Sequence, residues 1–437
     1  MLAASRSADF SIDAMNESAE IICVGTELLL GDILNSNVQY LAQQLASLGI
    51  AHHYQTVVGD NPTRIKQAVA IACDRARLII LTGGLGPTPD DLTLASLAEF
   101  FDTPLVERAE IVADLEKKFA KRGQTLTKIS RRQALLPQDA EVLPNPVGSA
   151  PGVIWEPRSG LTIMTFPGVP WEMKPMWQAT AVPYLRSSHW AEGVIHSRIL
   201  RFWGIGESAL AQKVEPFLAI DNPTVAPYAL GGEVILRISA RAESVVAANQ
   251  LIDPIVTKIQ EMTGTLCYGQ DNETLADVVG QLLKARSETL SVAESCTGGG
   301  LGSLITAIPG SSSYFWGGVI SYDNQIKQQL LGVDETVLAR CGAVSPEVAA
   351  AMAFGVRDRL GTDWALSITG IAGPGGGSIE KPVGLVYIAL ASAQGIKTEK
   401  YLFGSETSRD LIRQKSTSSA LNLLRLSLMQ PPPDSTR

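Results

Sequence analysis

The stretch EIICVG, residues 20–25, is an apolar run that ends at a glycine. Amphipathic helical patterns and further apolar runs alternate after it: NVQYLAQQLASLG (37–49), HHYQTVVG (52–59), IKQAVAIACDRA (65–76) and LIILTGG (78–84). This alternation predicts an α/β domain with a parallel sheet and helices on both of its faces. Ligands bind such folds beyond the carboxyl ends of the strands, so polar residues just after Gly25, Gly59 and Leu81 are the first candidates for a site.

Two further units follow along the chain. A small βαββα pattern occupies residues 195–263, and strands alternate with helices again from Asn272. The division predicted from these patterns is a disordered N-terminus (1–18), a parallel-sheet domain (19–187), a small α+β domain (188–268), a C-terminal α/β domain (269–430) and a disordered tail (431–437). Either Met1 or Met15 is compatible with the true start.

Composition narrows the class of protein. The 437 residues are 45% hydrophobic and 18% charged, as in globular proteins, and nothing approaches the roughly 20 apolar residues of a membrane helix. A net charge of -8 argues against nucleic-acid binding, which depends on clustered Lys and Arg. The five cysteines lack CxxC spacing, so no zinc site or disulfide framework is indicated. We expect a cytoplasmic protein that acts on small molecules.

The segment LSVAESCTGGG, residues 290–300, places Ser295 and Cys296 where a strand turns into a helix. Backbone N–H groups converge at such a terminus and can hold a phosphate or an oxyanion; the alternative is that the glycines only make a tight turn. The histidines are residues 52, 53, 189 and 196, so none follows Asn272. A nucleophile here therefore needs Lys, Tyr or a carboxylate as its base.

The segment GGVISYDNQIKQQLLG, residues 317–332, offers that base. Asp323 is placed to cap a helix, and Lys327 falls in its first turn, where the macrodipole disfavours a cation. A lysine base needs its pKa lowered by about 3 units, which burial can supply. Ser295 with Lys327 is a sensible pair, and Tyr322 can relay a proton. Cys296 is the rival nucleophile, although an unpaired cysteine more often packs as a small apolar residue, and Lys327 at the surface is the plain alternative.

A glycine-dense loop in ALSITGIAGPGGGSIEKPVGLVYIAL, residues 365–390, can present Thr369 and backbone amides to a ligand, or can simply connect two strands. Arg409 and Arg413 lie four residues apart on one helix face and can bind a phosphate, although solvated arginines are the default.

Near the N-terminus, VGTELLLGDILNSN (24–37) and LTGGLGPTPDDLT (81–93) follow predicted strands. The adjacent carboxylates Asp90 and Asp91 can bring a hard cation to a phosphate, or one of them can cap the next helix. Glu27 and Asp32 are similarly ambiguous.

Several motifs in the last third resemble the C-terminal domain of CinA proteins: AESCTGG, SYDNQIK, GAVSPEVAAAMA, ITGIAGPGGG with KPVG, and SRDLIR. Stand-alone relatives of that domain are nicotinamide mononucleotide deamidases, so the resemblance implies hydrolysis of this nucleotide to nicotinate mononucleotide and ammonia, without a cofactor. It also implies Ser295 as nucleophile, with Lys327 and Tyr322 activating it. The ligand contacts that it implies are Thr297, Gly298, Gly299, Thr369, Gly370, Gly375, Gly376, Arg409 and Arg413.

The N-terminal segments, with NPVGSAPG (145–152) and FPGVPWEM (166–173), resemble the molybdopterin-binding-like domain of the same family. There this domain is associated with a pyrophosphatase that needs a divalent metal and converts ADP-ribose to AMP and ribose 5-phosphate. The ligand site implied by the resemblance consists of Glu27, Thr82, Gly83, Gly84, Asn145, Gly148 and Gly168, with Asp60 and Asp91 as metal ligands.

The middle unit resembles the KH-like module of CinA, but it carries WGIGES where nucleic-acid binding needs a GxxG clamp, so we expect a structural role. The resemblance also implies a homodimer. The resulting hypothesis is a hydrolase with two active sites. The alternative is a noncatalytic pterin-binding or competence-related interaction protein, which would bind ligand tightly without turnover.

Overall fold

The structure is a computed structural model that describes residues 18–188, 190 and 193–430. The predicted disordered ends lie outside these residues, except that Ser18 is described and is buried. The chain divides into two compact units. One runs up to His196 and includes Arg241–Asn249, and the other consists of Ser197–Ala240 and the residues from Gln250 onward.

A six-stranded sheet with the order β2-β1-β3-β8-β7-β6 forms the centre of the first unit. The strands of this unit are β1 (Ala19–Val24), β2 (His52–Val58), β3 (Leu78–Thr82), β4 (Leu105–Glu107), β5 (Leu135–Pro137), β6 (Glu141–Leu143), β7 (Gly152–Arg158) and β8 (Leu161–Phe166). Neighbouring strands from β2 to β8 are parallel, whereas β7 and β6 join antiparallel, and β4 and β5 form a separate antiparallel pair. The predicted parallel sheet is confirmed, with an antiparallel extension at one edge.

Helices cover both faces of this sheet. They are α1 (Thr26–Leu30), α2 (Ser36–Ser47), α3 (Pro62–Arg75), α4 (Thr93–Phe100), α5 (Ala109–Lys121), α6 (Lys128–Arg131), α7 (Pro170–Met176) and α8 (Val182–Ser187). Every residue of β1 and β3 is buried, and their side chains alternate between two separate hydrophobic cores, one on each face. The continuous apolar runs in the sequence follow from this burial on both sides.

A smaller sheet with the order β10-β11-β9-β12 lies in the middle of the chain. Its strands and the helices near them are β9 (Val194–Phe202), α9 (Glu207–Lys213), α10 (Glu215–Leu218), β10 (Thr224–Leu230), β11 (Glu233–Ala242), α11 (Val245–Thr263) and β12 (Cys267–Gln270). Strand β12 pairs antiparallel with β9 and spans the predicted boundary at residue 268.

The C-terminal part contains a five-stranded sheet with the order β14-β13-β15-β16-β17. Its elements are α12 (Leu275–Arg286), β13 (Leu290–Glu294), α13 (Gly300–Thr306), β14 (Phe315–Ile320), α14 (Asn324–Leu331), α15 (Glu335–Cys341), α16 (Pro346–Leu360), β15 (Trp364–Gly370), β16 (Leu385–Ser392), β17 (Gly395–Leu402) and α17 (Arg409–Leu428). Strand β13 is parallel to β14 and β15, and β15, β16 and β17 are successively antiparallel. The carboxyl end of the fully buried β13 opens into the glycine turn that carries Ser295.

Candidate functional site

Ser295 is the first residue after strand β13. Its backbone N–H donates to the carbonyl of Ile368 on the neighbouring strand β15, at 3.0 Å. Because this bond continues the sheet, the serine is held at a defined place on its edge, and 9% of its surface is exposed.

Lys327 reaches the same place from helix α14. Asp323 caps this helix by accepting from the backbone N–H of Gln325 at 2.8 Å, as predicted. The Nζ atom of Lys327 lies 3.3 Å from Ser295 Oγ, and it donates to the carbonyls of Ser321 at 2.7 Å and Tyr322 at 3.2 Å. The structure therefore brings the two residues of the predicted pair together.

Burial disfavours the charged form of Lys327. Only 1% of its surface is exposed, and it forms no ion pair among the described residues. Burial lowers the pKa of Lys327, against a smaller opposing effect of the Asp323 charge. A neutral amine has two N–H groups and one lone pair. With both N–H groups donated to the two carbonyls, the lone pair is left to accept the proton of Ser295 Oγ.

Cys296 has the opposite environment. Its side chain packs in the hydrophobic core that includes Leu301 and Ile368, and burial raises the pKa of its thiol to about 12. A thiol of this kind stays protonated at neutral pH, and the thiolate is the nucleophilic form. Of the two adjacent candidates, Ser295 is thus the one with a base.

Glu294 was missed by the sequence analysis. Its buried carboxylate accepts from the backbone N–H groups of Gly299 at 3.1 Å, Leu301 at 3.0 Å and Gly302 at 2.8 Å. These are amides at the start of helix α13, and because the chain's own carboxylate occupies them, these three are not open to a phosphate or an oxyanion. The turn before the helix still requires glycine, because Gly298 and Gly299 have φ values of 58° and 94°.

Tyr322 does not take the position predicted for a proton relay. Its side chain is 63% exposed, and its hydroxyl accepts from Arg409 Nη2 at 3.4 Å. Its contact with Lys327 is made by the backbone carbonyl. The residue therefore orients the amine through its main chain.

Arg409 and Arg413, at the start of helix α17, contact the two loops around Ser295. Arg409 Nη1 donates to the carbonyl of Gly373 at 2.6 Å, and Arg413 Nη2 donates to that of Thr297 at 2.9 Å. The hydroxyl of Thr297 is buried and has no partner among the described residues. Each guanidinium keeps further N–H groups that a phosphate can accept from.

The loop after strand β15 contributes less than predicted. The hydroxyl of Thr369 is buried and donates to the carbonyl of Ala343 at 2.7 Å, so its proton is not offered to a ligand. Gly370 is half-buried, but Gly375 and Gly376 are exposed, and a side chain at either would meet nothing within 4 Å.

A second candidate site is a cleft of about 570 Å³ in the first unit, at the carboxyl ends of strands β1, β3 and β8. Seven of the predicted residues line it: Glu27, Asp60, Gly83, Gly84, Asp90, Asp91 and Gly168. Gly83 allows close packing at its base, because a Cβ there would lie 2.0 Å from the carbonyl oxygen of Val24, and its φ is 104°.

Asp60 and Asp91, the two predicted metal ligands, each accept hydrogen bonds from the chain through one of their two carboxylate oxygens. Asp60 Oδ2 accepts from the N–H and the hydroxyl of Thr26, both at 2.8 Å. Asp91 Oδ2 accepts from the N–H of Thr88 at 2.8 Å and from its hydroxyl at 2.5 Å, and therefore closes the loop without capping helix α4. Across the described chain, no group of three or more His, Cys, Asp and Glu side chains is placed to hold a metal ion.

Three family models match successive parts of the chain. They are a probable molybdopterin binding domain over residues 20–187, a CinA KH domain over 197–269 and a CinA C-terminal domain over 272–428. A CinA-like protein of a Cyanothece species is 64% identical over 95% of this chain and 99% of its own length. The chain belongs to the CinA family. A CinA-like protein of Nostoc punctiforme is 62% identical over 94% of this chain and 99% of its own.

Solved structures of the CinA family match one part of the chain. The competence/damage inducible protein CihA of Agrobacterium tumefaciens is 39% identical, and the match covers 36% of this chain and 94% of the CihA chain, with a TM-score of 0.35.

No helix in the described part of this CinA family member is long and apolar enough to span a membrane.

Three residues that the resemblance to the CinA family implied do not line the cleft but lie next to residues that do: Thr82, Asn145 and Gly148. Thr82 donates its hydroxyl to the carbonyl of Pro167 at 3.1 Å and accepts from Asn37, beside a small side pocket. Asn145 Oδ1 accepts from the N–H of Gly148 at 2.7 Å, and its Nδ2 donates to Glu172 at 2.6 Å. Asn145 and Gly148 do not line the cleft, whereas Glu172, which they position, does.

Glu172 and Gln133 also line the cleft, and the sequence patterns did not predict them as site residues. Glu172 lies within FPGVPWEM, a segment already attributed to the CinA family, so its carboxylate after a glycine turn was an available signal. Gln133, in RRQALL, follows no glycine turn and no long strand, and nothing in the sequence pattern marks it.

Proposed function

We propose that the C-terminal part of this CinA family member is an amidohydrolase that converts nicotinamide mononucleotide to nicotinate mononucleotide and ammonia. The observation that carries the proposal is the 3.3 Å approach of the buried Lys327 Nζ to Ser295 Oγ. A serine without a histidine needs such a base to attack an amide.

In the proposed reaction, Lys327 takes the proton of Ser295 as Oγ attacks the carboxamide carbon. The tetrahedral intermediate collapses, the C–N bond breaks, and ammonia leaves with the proton that Lys327 returns. Water then attacks the nicotinoyl ester with Lys327 again as base, the ester C–O bond breaks, Lys327 returns the proton to Ser295 Oγ, and nicotinate mononucleotide is released. Because Glu294 occupies the amides of Gly299, Leu301 and Gly302, oxyanion donors must come from the turn before them.

The substrate phosphate is assigned to Arg409 and Arg413. Both are anchored on carbonyls of the loops that flank Ser295, so their remaining N–H groups are held in place before the substrate binds. Such preorganisation reduces the entropy that binding must overcome.

The test is ammonia release from nicotinamide mononucleotide by the purified full chain. We expect Ser295→Ala to lower kcat at least about a thousandfold. Ser303→Ala, which removes an exposed hydroxyl from helix α13, is the matched control. Rapid quenching followed by mass spectrometry should detect the nicotinoyl ester on the peptide that contains Ser295. Full activity of Ser295→Ala would refute the proposal, and tight nucleotide binding without turnover would favour the noncatalytic alternative.

We propose, as a second activity, that the N-terminal cleft hydrolyses ADP-ribose to AMP and ribose 5-phosphate. Support comes from the cleft itself, which combines a glycine loop over Gly83 and Gly84 with the carboxylates of Glu27, Asp60 and Asp91. Its volume is within the range of small-molecule sites.

A divalent cation is part of this second proposal. Asp60 and Asp91 each keep one carboxylate oxygen for it, and two carboxylates completed by substrate phosphates are a common way to hold Mg²⁺. The cation would neutralise charge on the pyrophosphate. AMP formation from ADP-ribose, with and without a chelator, tests the activity; no AMP at any metal concentration would refute it. The homodimer and the cytoplasmic location stay predictions.

A further inference from the structure

Gln133 is a buried glutamine on the wall of the N-terminal cleft. It lies in a short 3-10 turn, Arg132–Ala134, between helix α6 and strand β5, and 5% of its surface is exposed. Backbone hydrogen bonds hold the chain on both sides of it, because the N–H of Arg131 donates to the carbonyl of Thr127 at 2.9 Å and the carbonyl of Ala134 accepts from the N–H of Arg108 at 2.9 Å. The residue lines the cleft between these hydrogen-bonded segments.

The carboxamide of Gln133 is unpaired. Its Oε1 is buried without a hydrogen-bond partner among the described residues. By contrast, the buried amide of Asn145 in the same unit bonds at both ends, through Oδ1 to two backbone N–H groups and through Nδ2 to Glu172 and the carbonyl of Ala150. A buried acceptor without a partner is costly, so an amide left unpaired beside a ligand cleft calls for a donor that the ligand brings.

A carboxamide places an acceptor and a donor side by side. The complementary edge is an amino N–H next to a ring nitrogen, which is what adenine presents and what glutamine reads in nucleic acids. The same cleft, of about 570 Å³, is also lined by Gly83 and Gly84 of the glycine loop and by Asp91.

We propose that Gln133 determines the specificity of the N-terminal cleft by pairing its carboxamide with the amino edge of a purine base. This inference rests on the proposed nucleotide chemistry of the same cleft and adds to it the part of the ligand that is recognised. The cleft then selects nucleotides that carry an exocyclic amino group.

The experiment is calorimetric binding of two nucleotides to the full chain: AMP, and purine riboside 5′-monophosphate, which lacks the amino group. We expect AMP to bind about ten- to a hundredfold more tightly, because the analogue leaves Oε1 unpaired. In Gln133→Met this preference should disappear, with AMP reduced to the affinity of the analogue. Gln138→Met, the same change at an exposed glutamine of the same unit, should keep the preference.

Folding should not obscure the result, because Gln133→Met removes an unpaired buried acceptor; a Tm equal to or above that of the parent is expected. Equal affinities of the parent for the two nucleotides, no AMP binding, or a preference that survives in Gln133→Met would each overturn the inference. ADP-ribose hydrolysis is assayed separately. Its absence, with the AMP preference intact, would refute the pyrophosphatase and leave base selection standing.

Discussion

In the C-terminal site, the buried amine of Lys327 has two backbone carbonyls and the Ser295 hydroxyl around it, whereas in the N-terminal cleft the buried carboxamide of Gln133 has no partner for its oxygen. The first arrangement is completed by the chain and is suited to proton transfer, which needs fixed distances before the substrate arrives. The second is incomplete without a ligand and is suited to recognition. The same degree of burial thus has different consequences, depending on which polar atoms the chain itself satisfies.

The largest effect that tests this contrast is expected for Lys327→Met. Removing the base should lower kcat for nicotinamide mononucleotide at least about a thousandfold. Removing the buried amine stabilises the folded state, whereas leaving two carbonyls without their donor destabilises it. Because these contributions to the free energy of unfolding oppose each other, Tm should change by no more than about 4 °C. Steady-state ammonia release and thermal unfolding measure the two. Lys400→Met, at an exposed lysine of strand β17, is the control; a large drop in Tm for Lys327→Met alone would point to a structural role.

The next effect is on the pH dependence of that reaction. Because burial lowers the pKa of Lys327 below its ordinary 10.5, and the neutral amine is the active form, kcat/KM should rise about tenfold per pH unit until that pKa is passed. Stability follows the same direction. Between the folded pKa and 10.5 the unfolded chain binds the proton and the folded chain does not, so the free energy of unfolding rises with pH in this window. A kcat/KM that does not fall on acidification at any pH at which the protein stays folded would contradict the assignment of Lys327 as base.

A smaller effect, confined to the other site, is expected for Asp91→Asn. The amide oxygen can still accept from Thr88, so the loop is kept while the negative charge is lost. ADP-ribose hydrolysis should fall about tenfold or more and recover in part at higher metal concentration. Deamidation of nicotinamide mononucleotide should not change, and neither activity should change in Asp139→Asn, at an exposed aspartate outside the cleft. If no metal concentration restores ADP-ribose hydrolysis in Asp91→Asn, Asp91 is not a ligand of the cation.

The sequence predicted the sheets, the family and the meeting of Ser295 with Lys327, because each depends on periodicity or on a strand end. It did not predict what depends on the direction of single side chains. Glu294 is a charged residue at the end of an apolar strand, and only the register of the turn shows that its carboxylate faces three amides. Tyr322 contacts Lys327 through its carbonyl, and a motif does not distinguish main chain from side chain.

The smallest effect is expected for Cys296→Ala, and it tests the choice between adjacent residues directly. With the pKa of its thiol raised to about 12 by burial, Cys296 should resist alkylation by iodoacetamide at pH 7, because almost no thiolate is present. Its replacement should change kcat less than about threefold and lower Tm by a few degrees through the small cavity left in the core. Retention of activity in Cys296→Ala together with its loss in Ser295→Ala assigns the nucleophile. If iodoacetamide instead alkylates Cys296 rapidly and abolishes activity, and nicotinamide mononucleotide prevents the reaction, the thiol lies in the site. That result would contradict the burial on which the assignment of Ser295 depends.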